Sequence, residues 1–202
     1  MEDSFYKDSI VLLEGAIEDI TSKLNLIRKY KKVKEKRDPI EYIVTRVKSE
    51  ASMKEKLKRK GYDVTLESAL TKVYDAAGMR IICAYIDDVY TVANMLKQYK
   101  ELKVIKEKDY IKNPKPNGYR SYHIIFQLDL DLAGEITPIY VEIQIRTIAM
   151  DFWSNLEHQM KYKKDIKNQE FIAQELKRCA DEIATTDLNM QTIRDMINSK
   201  EK

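Results

Sequence analysis

Between Ile136 and Arg146 the chain alternates with a period of two. Val141, Ile143 and Ile145 are aliphatic, and they interleave with Tyr140, Glu142, Gln144 and Arg146. Successive side chains of a strand point to opposite faces, so the segment predicts a strand with one aliphatic face and one polar face. The aliphatic face must meet a core. Three polar groups in a row on a central strand are costly to bury unless each finds a partner. The polar face is therefore either an ordinary solvated sheet surface or the floor of an open cleft on which a carboxylate does acid–base or metal work.

The same periodicities assign the other elements. Residues 5–30 carry Leu13, Ile17, Ile20, Leu24 and Ile27 at alternating steps of four and three. That stripe predicts an amphipathic helix covering a core or a partner subunit. Residues 31–38 read as a charged connector ending at Asp38-Pro39. Ser52 and Glu55 have capping-box spacing and Gly61 is a helix stop, which predicts a short basic helix from Glu50 to Lys60. Met79 to Tyr85 is an apolar run interrupted by Arg80 and reads as a buried strand. Asp87 or Asp88 then caps a helix reaching Tyr99, with Val89, Val92, Ala93 and Leu96 inward. Leu102 to Ile111 and Tyr122 to Leu130 read as strands flanking a Pro-, Asn- and Gly-rich loop, and Ala133-Gly134 marks a turn. Thr147 opens a helix containing Trp153 and His158, and Asn168 to Ser199 reads as one long helix or two shorter ones. Helices, then strands mixed with a helix, then helices again describe an α+β chain with one sheet packed by helices.

At 202 residues this fits one domain with helical extensions, and 44% hydrophobic content supplies a core. No run of 18 apolar residues exists, so no membrane span is expected. Met1-Glu2-Asp3-Ser4 lacks the basic-then-apolar layout of a secretory signal. Cys83 and Cys179 are expected to be reduced thiols, and the chain is expected in the cytoplasm. Charge is unevenly spread: Arg28 to Lys60 holds 14 Lys or Arg against 5 Asp or Glu. Such a block suits a solvated helix face, a nucleic acid or a polyphosphate.

Three further signals join the polar strand. Asp75 precedes two alanines and Gly78, small residues that let a ligand approach the backbone, although Asp75 could equally cap a turn. Arg80, a charge inside an apolar run, needs an anionic partner or an aromatic face. The loop from Lys112 to His123 is stiffened by two prolines and Asn117-Gly118. Its cations flank Tyr119, whose ring could stack on a base, and on pattern alone it is also a plain solvated turn. Arg46, Lys48, Ser52, Lys56 and Arg59 gather cations and a hydroxyl around a helix N-terminus, which suits phosphate as well as solvent.

Taken together these residues resemble the synthetase domain of the RelA/SpoT family. Arg46-Val47-Lys48, Ser52 and Lys56 resemble its ATP segment. Tyr74-Asp75-Ala76-Ala77-Gly78-Met79-Arg80 is similar to its metal-binding aspartate motif, and Asn113 to His123 to its guanosine loop. Val141-Glu142-Ile143-Gln144-Ile145-Arg146-Thr147 resembles the strand carrying its catalytic glutamate, and Ala149 to Trp153 with Glu157-His158 continues the likeness. The resemblance spans about residues 41–163 in four ordered motifs. The terminal helices resemble the short, single-domain members in general character.

The resemblance implies a nucleotidyltransferase-like fold with a mixed, mainly antiparallel sheet. It divides the chain into a helix and connector over 1–38, a catalytic core over 39–163 and C-terminal helices over 164–202. It implies transfer of pyrophosphate from ATP to the 3′ hydroxyl of GTP, GDP or GMP. Asp75 and Glu142 would hold Mg²⁺, and Glu142 would also take the hydroxyl proton. Arg46, Arg80, Lys48, Ser52, Lys56 and Arg59 would bind ATP. Lys108, Lys115, Asn117, Tyr119, His123 and Gln144 would bind the guanosine nucleotide. Lys108 stands where certain short members carry arginine, which leaves the acceptor open. Glu41 and Tyr42 fit the product site that some short members carry at a subunit interface, whereas Asn25 and Val44 do not match its residues. The resemblance also implies a homotetramer. Only two histidines, His123 and His158, are present and no His-Asp pair, so no hydrolase activity is expected. The rival reading is an RNA-binding module, with weak RNA binding by the basic block, but Asp75 and Glu142 would repel RNA.

Overall fold

A computed structural model describes residues 5–161 and 168–199. Helix α1 covers Ser9–Glu35, and its stripe of Leu13, Ile17, Ile20, Leu24 and Ile27 is buried. The helix continues through most of the expected connector and ends at Lys36, whose φ is +53°. Lys31 pairs with Glu35 one turn on, and Lys32 and Lys34 sit at the negative end of the helix dipole. A charged sequence is thus no bar to helix here.

Strand β1, Tyr42–Val47, follows. It was not foreseen, because as an edge strand it is largely exposed and shows no alternation. Helix α2, Glu50–Arg59, is capped by Ser49, whose hydroxyl accepts from the Ser52 amide at 3.4 Å. The expected Ser52 cap is therefore corrected. The Lys48 amide is held by the Ala76 carbonyl at 2.8 Å, so the chain leaves the sheet one residue later and turns at Ser49. A short helix α3, Leu66–Thr71, leads to β2, Ala77–Cys83. Helix α4, Ile86–Leu96, starts from Tyr85, with Asp87 and Asp88 in its first turn rather than capping it. It ends before Tyr99. Strands β3, Lys103–Asp109, β4, Tyr122–Leu132, and β5, Glu135–Thr147, complete the sheet. Helix α5, Ile148–Lys161, and one long helix α6, Gln169–Ser199, close the chain. The expected boundary at 163/164 and Met1 to Ser4 lie outside the described residues.

The strand order is β1-β2-β5-β4-β3. Only β2 and β5 are parallel; the other pairs are antiparallel. The apolar residues Met79, Ile81, Ile124, Phe126, Val141, Ile143 and Ile145 are buried in one core with α1 and α4. The other face carries the polar residues. Helix α6 packs on α5 and α4, where Trp153 donates to the Leu176 carbonyl at 2.9 Å. Cys83 is a buried free thiol whose pKa burial pushes up, and Cys179 is half-buried and free. Among the described residues no helix is long and apolar enough to cross a membrane.

Candidate active site

Residues paired directly across strands point to the same face, so the register defines the cleft floor. One row runs Val44, Arg80, Gln144, His123, Lys108 across all five strands. The row beside it runs Arg46, Gly78, Glu142, Ile125, Lys106. Glu142 stands at the middle of the sheet. Val44, Arg46, Gly78, Arg80, Glu142 and Gln144 line one pocket. Gly78 keeps its floor low: a Cβ there would lie 3.8 Å from the Arg46 side chain.

Asp75 sits just before β2, facing α2. Its Oδ2 accepts from Lys56 Nζ at 2.5 Å and Lys48 Nζ at 3.1 Å. Burial alone would raise its pKa, but the two lysines prevail and hold the carboxyl below the usual range. Its Oδ1 is buried and finds no hydrogen-bond partner among the described residues. Ser52, Lys56 and Arg59 are spaced to share one face of α2, with Ser52 and Arg59 exposed.

Glu142 is also held below the usual carboxylate range. Burial opposes this, and it is outweighed by His123, whose Nδ1 lies 3.7 Å from Oε1, with help from the Gln144 amide at 3.3 Å from Oε2. The negative charge of Asp75 pushes Glu142 the other way, so the two carboxylates sense one another.

On the far side of β5, the loop from Lys112 to Ser121 folds over the sheet. The Tyr119 hydroxyl lies 2.7 Å from His123 Nε2 and accepts from Arg146 Nη2 at 2.6 Å. Lys115 Nζ sits 4.6 Å from the centre of the Tyr119 ring. Lys108 and Lys115 both lie over the Tyr110 ring. Asn117 shapes the loop: its amide nitrogen donates to Glu157 at 2.9 Å and its oxygen accepts from the Tyr119 amide at 3.2 Å.

Sequence reasoning missed the hub of this network. Arg146 is 4% exposed and bonds Tyr119, Gln144 Oε1 at 2.8 Å and Asp151 at 3.1 Å. Asp151 also supplies the anionic partner that Arg80 requires, at 3.3 Å. The available signal was the charge of Arg146 on a strand face otherwise assigned to ligands. Much of the basic block is consumed internally: Arg28 pairs with Asp38, Arg37 with Asp88, and Lys48 and Lys56 with Asp75. Asn25 lines a separate groove between α1 and β1 with Ile43 and Thr45, while Val44 faces the cleft.

Glu142 on the sheet floor, Asp75 before β2 beside a lysine-bearing helix, and a basic, aromatic loop across β5 together suit phosphate-bearing ligands. The chain belongs to the RelA/SpoT family: the model of the region found in RelA / SpoT proteins matches residues 45–167. GTP pyrophosphokinase YwaC of Bacillus subtilis (strain 168) is 41% identical over 181 residues, 90% of this chain and 85% of that protein. GTP pyrophosphokinase YjbM of the same strain is 34% identical over 194 residues, 96% of this chain and 90% of that protein. The crystal structure of small alarmone synthetase 1 from Bacillus subtilis, bound to its product pppGpp, superposes with a TM-score of 0.81 at 36% identity. It covers 92% of this chain and 94% of that one.

Proposed function

We propose that this chain is a single-domain GTP/GDP pyrophosphokinase making guanosine 3′-pyrophosphate alarmones in the cytoplasm. The 3′ oxygen of the guanosine nucleotide bonds to the β-phosphorus of ATP, the bond from that phosphorus to the α,β-bridging oxygen breaks, and AMP leaves. The hydroxyl proton goes to Glu142. The observation that carries this reading is the position of Glu142, mid-sheet between the cations around Asp75 and the loop of Tyr119.

ATP falls on the β1–β2 side. Arg46 and Arg80 flank its adenine as guanidinium planes, and Lys48, Ser52, Lys56 and Arg59 hold its ribose and phosphates. The guanosine nucleotide falls on the β4–β3 side, with Tyr119 against the base and Lys108, Lys115, Asn117, His123 and Gln144 around it. A base stacking on Tyr119 must share that ring with Lys115 or displace it. Because Glu142 is held low it is ionised at neutral pH and is a weak base. A positioned base contributes about 10²–10⁴-fold, and alignment of the two nucleotides supplies most of the remaining rate.

The family implies Mg²⁺, and the residues fit it. The buried Oδ1 of Asp75 has a free lone pair to give, and among the described residues no third carboxylate, His or Cys completes a protein-only cage. That suits an ion bound through one or two carboxylates and substrate phosphates. Asp75 and Glu142 would hold it, and it would neutralise charge on the transferring group.

Incubation with ATP, Mg²⁺ and GDP or GTP should yield AMP and a 3′-pyrophosphorylated nucleotide. Glu142→Gln should lower kcat by about 10²–10⁴-fold and leave ATP affinity nearly intact; full turnover by that variant removes Glu142 as the base. The pairing of the basic block leaves RNA binding weak. The exposed Val11, Leu26, Tyr30 and Val33 on α1 and Leu188, Ile193 and Met196 on α6 support homo-oligomerisation, which the family resemblance makes a tetramer, and sedimentation of a monomer at micromolar concentration would refute it.

A further inference from the structure

Arg80 and Tyr119 lie on opposite sides of β5, yet an unbroken polar chain joins them. Asp151 is its middle. It stands in the first turn of α5, where the helix dipole favours a carboxylate, and it is 5% exposed. One oxygen, Oδ1, faces both guanidiniums: it accepts from Arg146 Nη1 at 3.1 Å and forms an ion pair with Arg80 Nη1 at 3.3 Å, and that nitrogen also donates to Asn155 Oδ1 at 3.3 Å. The other, Oδ2, accepts from Asn155 at 3.0 Å and from the Tyr42 hydroxyl at 3.4 Å, which fixes the carboxylate in place.

From Arg146 the chain divides. One branch runs through the Tyr119 hydroxyl to His123 and so to Glu142. The other runs through Gln144 Oε1, whose amide nitrogen also reaches Glu142. Both branches end on the same carboxylate. Asp151 and Arg146 are too buried to touch either nucleotide, so they act only through the residues they hold.

We propose that Asp151 is a positioning residue that couples the two nucleotide subsites. Because two guanidiniums share one oxygen, a change in either bond alters the other. When Arg80 turns onto an adenine its hold on Oδ1 loosens, and Oδ1 is left to Arg146. Arg146 is drawn toward Asp151, which resets its grip on the Tyr119 hydroxyl and Gln144. ATP-site occupancy thereby sets the ring on which the guanine stacks, and by linkage the guanosine nucleotide strengthens ATP binding by the same factor.

The inference rests on the pyrophosphoryl-transfer reading, and the test separates the two. Titration calorimetry with Mg²⁺ measures GDP binding with and without an ATP analogue whose α,β-bridging oxygen is a methylene, so no transfer occurs. In the unaltered chain the analogue should tighten GDP by about fivefold or more. Asp151→Asn keeps shape but removes the charge, and Tyr119→Phe breaks the chain at a different link while keeping the ring. In Asp151→Asn the tightening factor should fall to within about twofold of one, and in Tyr119→Phe, which leaves the Gln144 branch, to about half of the unaltered value or less. Tyr119→Phe keeps the test decisive should Asp151→Asn fail to fold. A factor near one in the unaltered chain, or a factor preserved in either folded variant, overturns the coupling. Failure of GDP and the analogue to bind the unaltered chain at all overturns the functional reading instead.

Discussion

Gly118→Ala is the sharpest probe of what holds the acceptor loop in place. Gly118 has φ +87°, a conformation that costs a side-chain-bearing residue about 1–2 kcal/mol. A Cβ there would also lie 2.5 Å from the Ala180 Cβ on α6, against an ordinary carbon contact of about 3.5–4.0 Å. Neither atom is the end of a flexible side chain, so loop or helix must move by about 1 Å. The helix is the stiffer partner: Arg120 ties the loop to the Ala180 carbonyl and Asp181, and Trp153 and Thr147 tie α6 to the elements below. The loop therefore shifts, carrying Tyr119 and Asn117 with it. A displacement of that size costs on the order of 10²-fold in a positioned reaction. The effect should appear in kcat/KM for the guanosine nucleotide at saturating ATP, with the KM for ATP changed far less. Ala180→Gly removes the opposing carbon, so the double variant should recover most of the lost rate while keeping the backbone strain and adding about 1 kcal/mol for a glycine inside α6. Together these should show as a melting temperature lower by about 4–12 °C. An unchanged acceptor kcat/KM in Gly118→Ala, or a double variant no better than the single one, refutes the clamp.

Two other outcomes follow from the same geometry. Ile143 is fully buried on the central strand, and Ile143→Ala should cost about 2–5 kcal/mol by denaturant unfolding; a loss under about 1 kcal/mol would contradict the placement of the core. Asp75 and Glu142 both have folded pKa values below their ordinary ones. As pH falls through about 4 the unfolded chain takes up these protons first, so their contribution to stability is full above that pH and is lost on further acidification through the folded values. Asp75→Asn should flatten the acid limb of the melting-temperature profile, and an unchanged limb would show that Asp75 is not held by Lys48 and Lys56.

The sequence displayed its strongest elements because they pack on one side. Alternation marked β5, and a four-three stripe marked α1, since each buries one face in the common core. Strand β1 was invisible for the opposite reason: at the sheet edge, most of its residues stay exposed and no pattern is imposed. The cap of α2 was misplaced by three residues because its start is set by a long-range bond from Lys48 to Ala76, which no local spacing records. Arg80 advertised its need for a partner, but Asp151 lies 71 residues away and only the parallel pairing of β2 with β5 brings α5 within reach. The roles of Arg146 and Asp151 are thus properties of topology. Asn117, by contrast, showed its turn character in sequence, and its amide is engaged in shaping the loop.

The parallel pairing of β2 with β5 also explains why a small residue stands opposite Glu142. The pairing sets Gly78 beside Glu142, so any side chain at 78 projects into the pocket between Glu142 and Arg46. A single methyl would meet Arg46 at 3.8 Å, which is ordinary contact, and the φ of Gly78 imposes no strain because it is not in the left-handed region. Gly78→Ala should therefore fold and turn over within a few-fold of the unaltered chain. Gly78→Val adds two branches at that height, where the Arg46 guanidinium and a flat base would otherwise lie. Valine favours strand conformation, so the sheet should keep its stability while the KM for ATP rises by about tenfold or more. The contrast between the two substitutions isolates the shape of the pocket floor from the stability of the strand. Equal ATP KM values for both would mean that the adenine does not lie over β2.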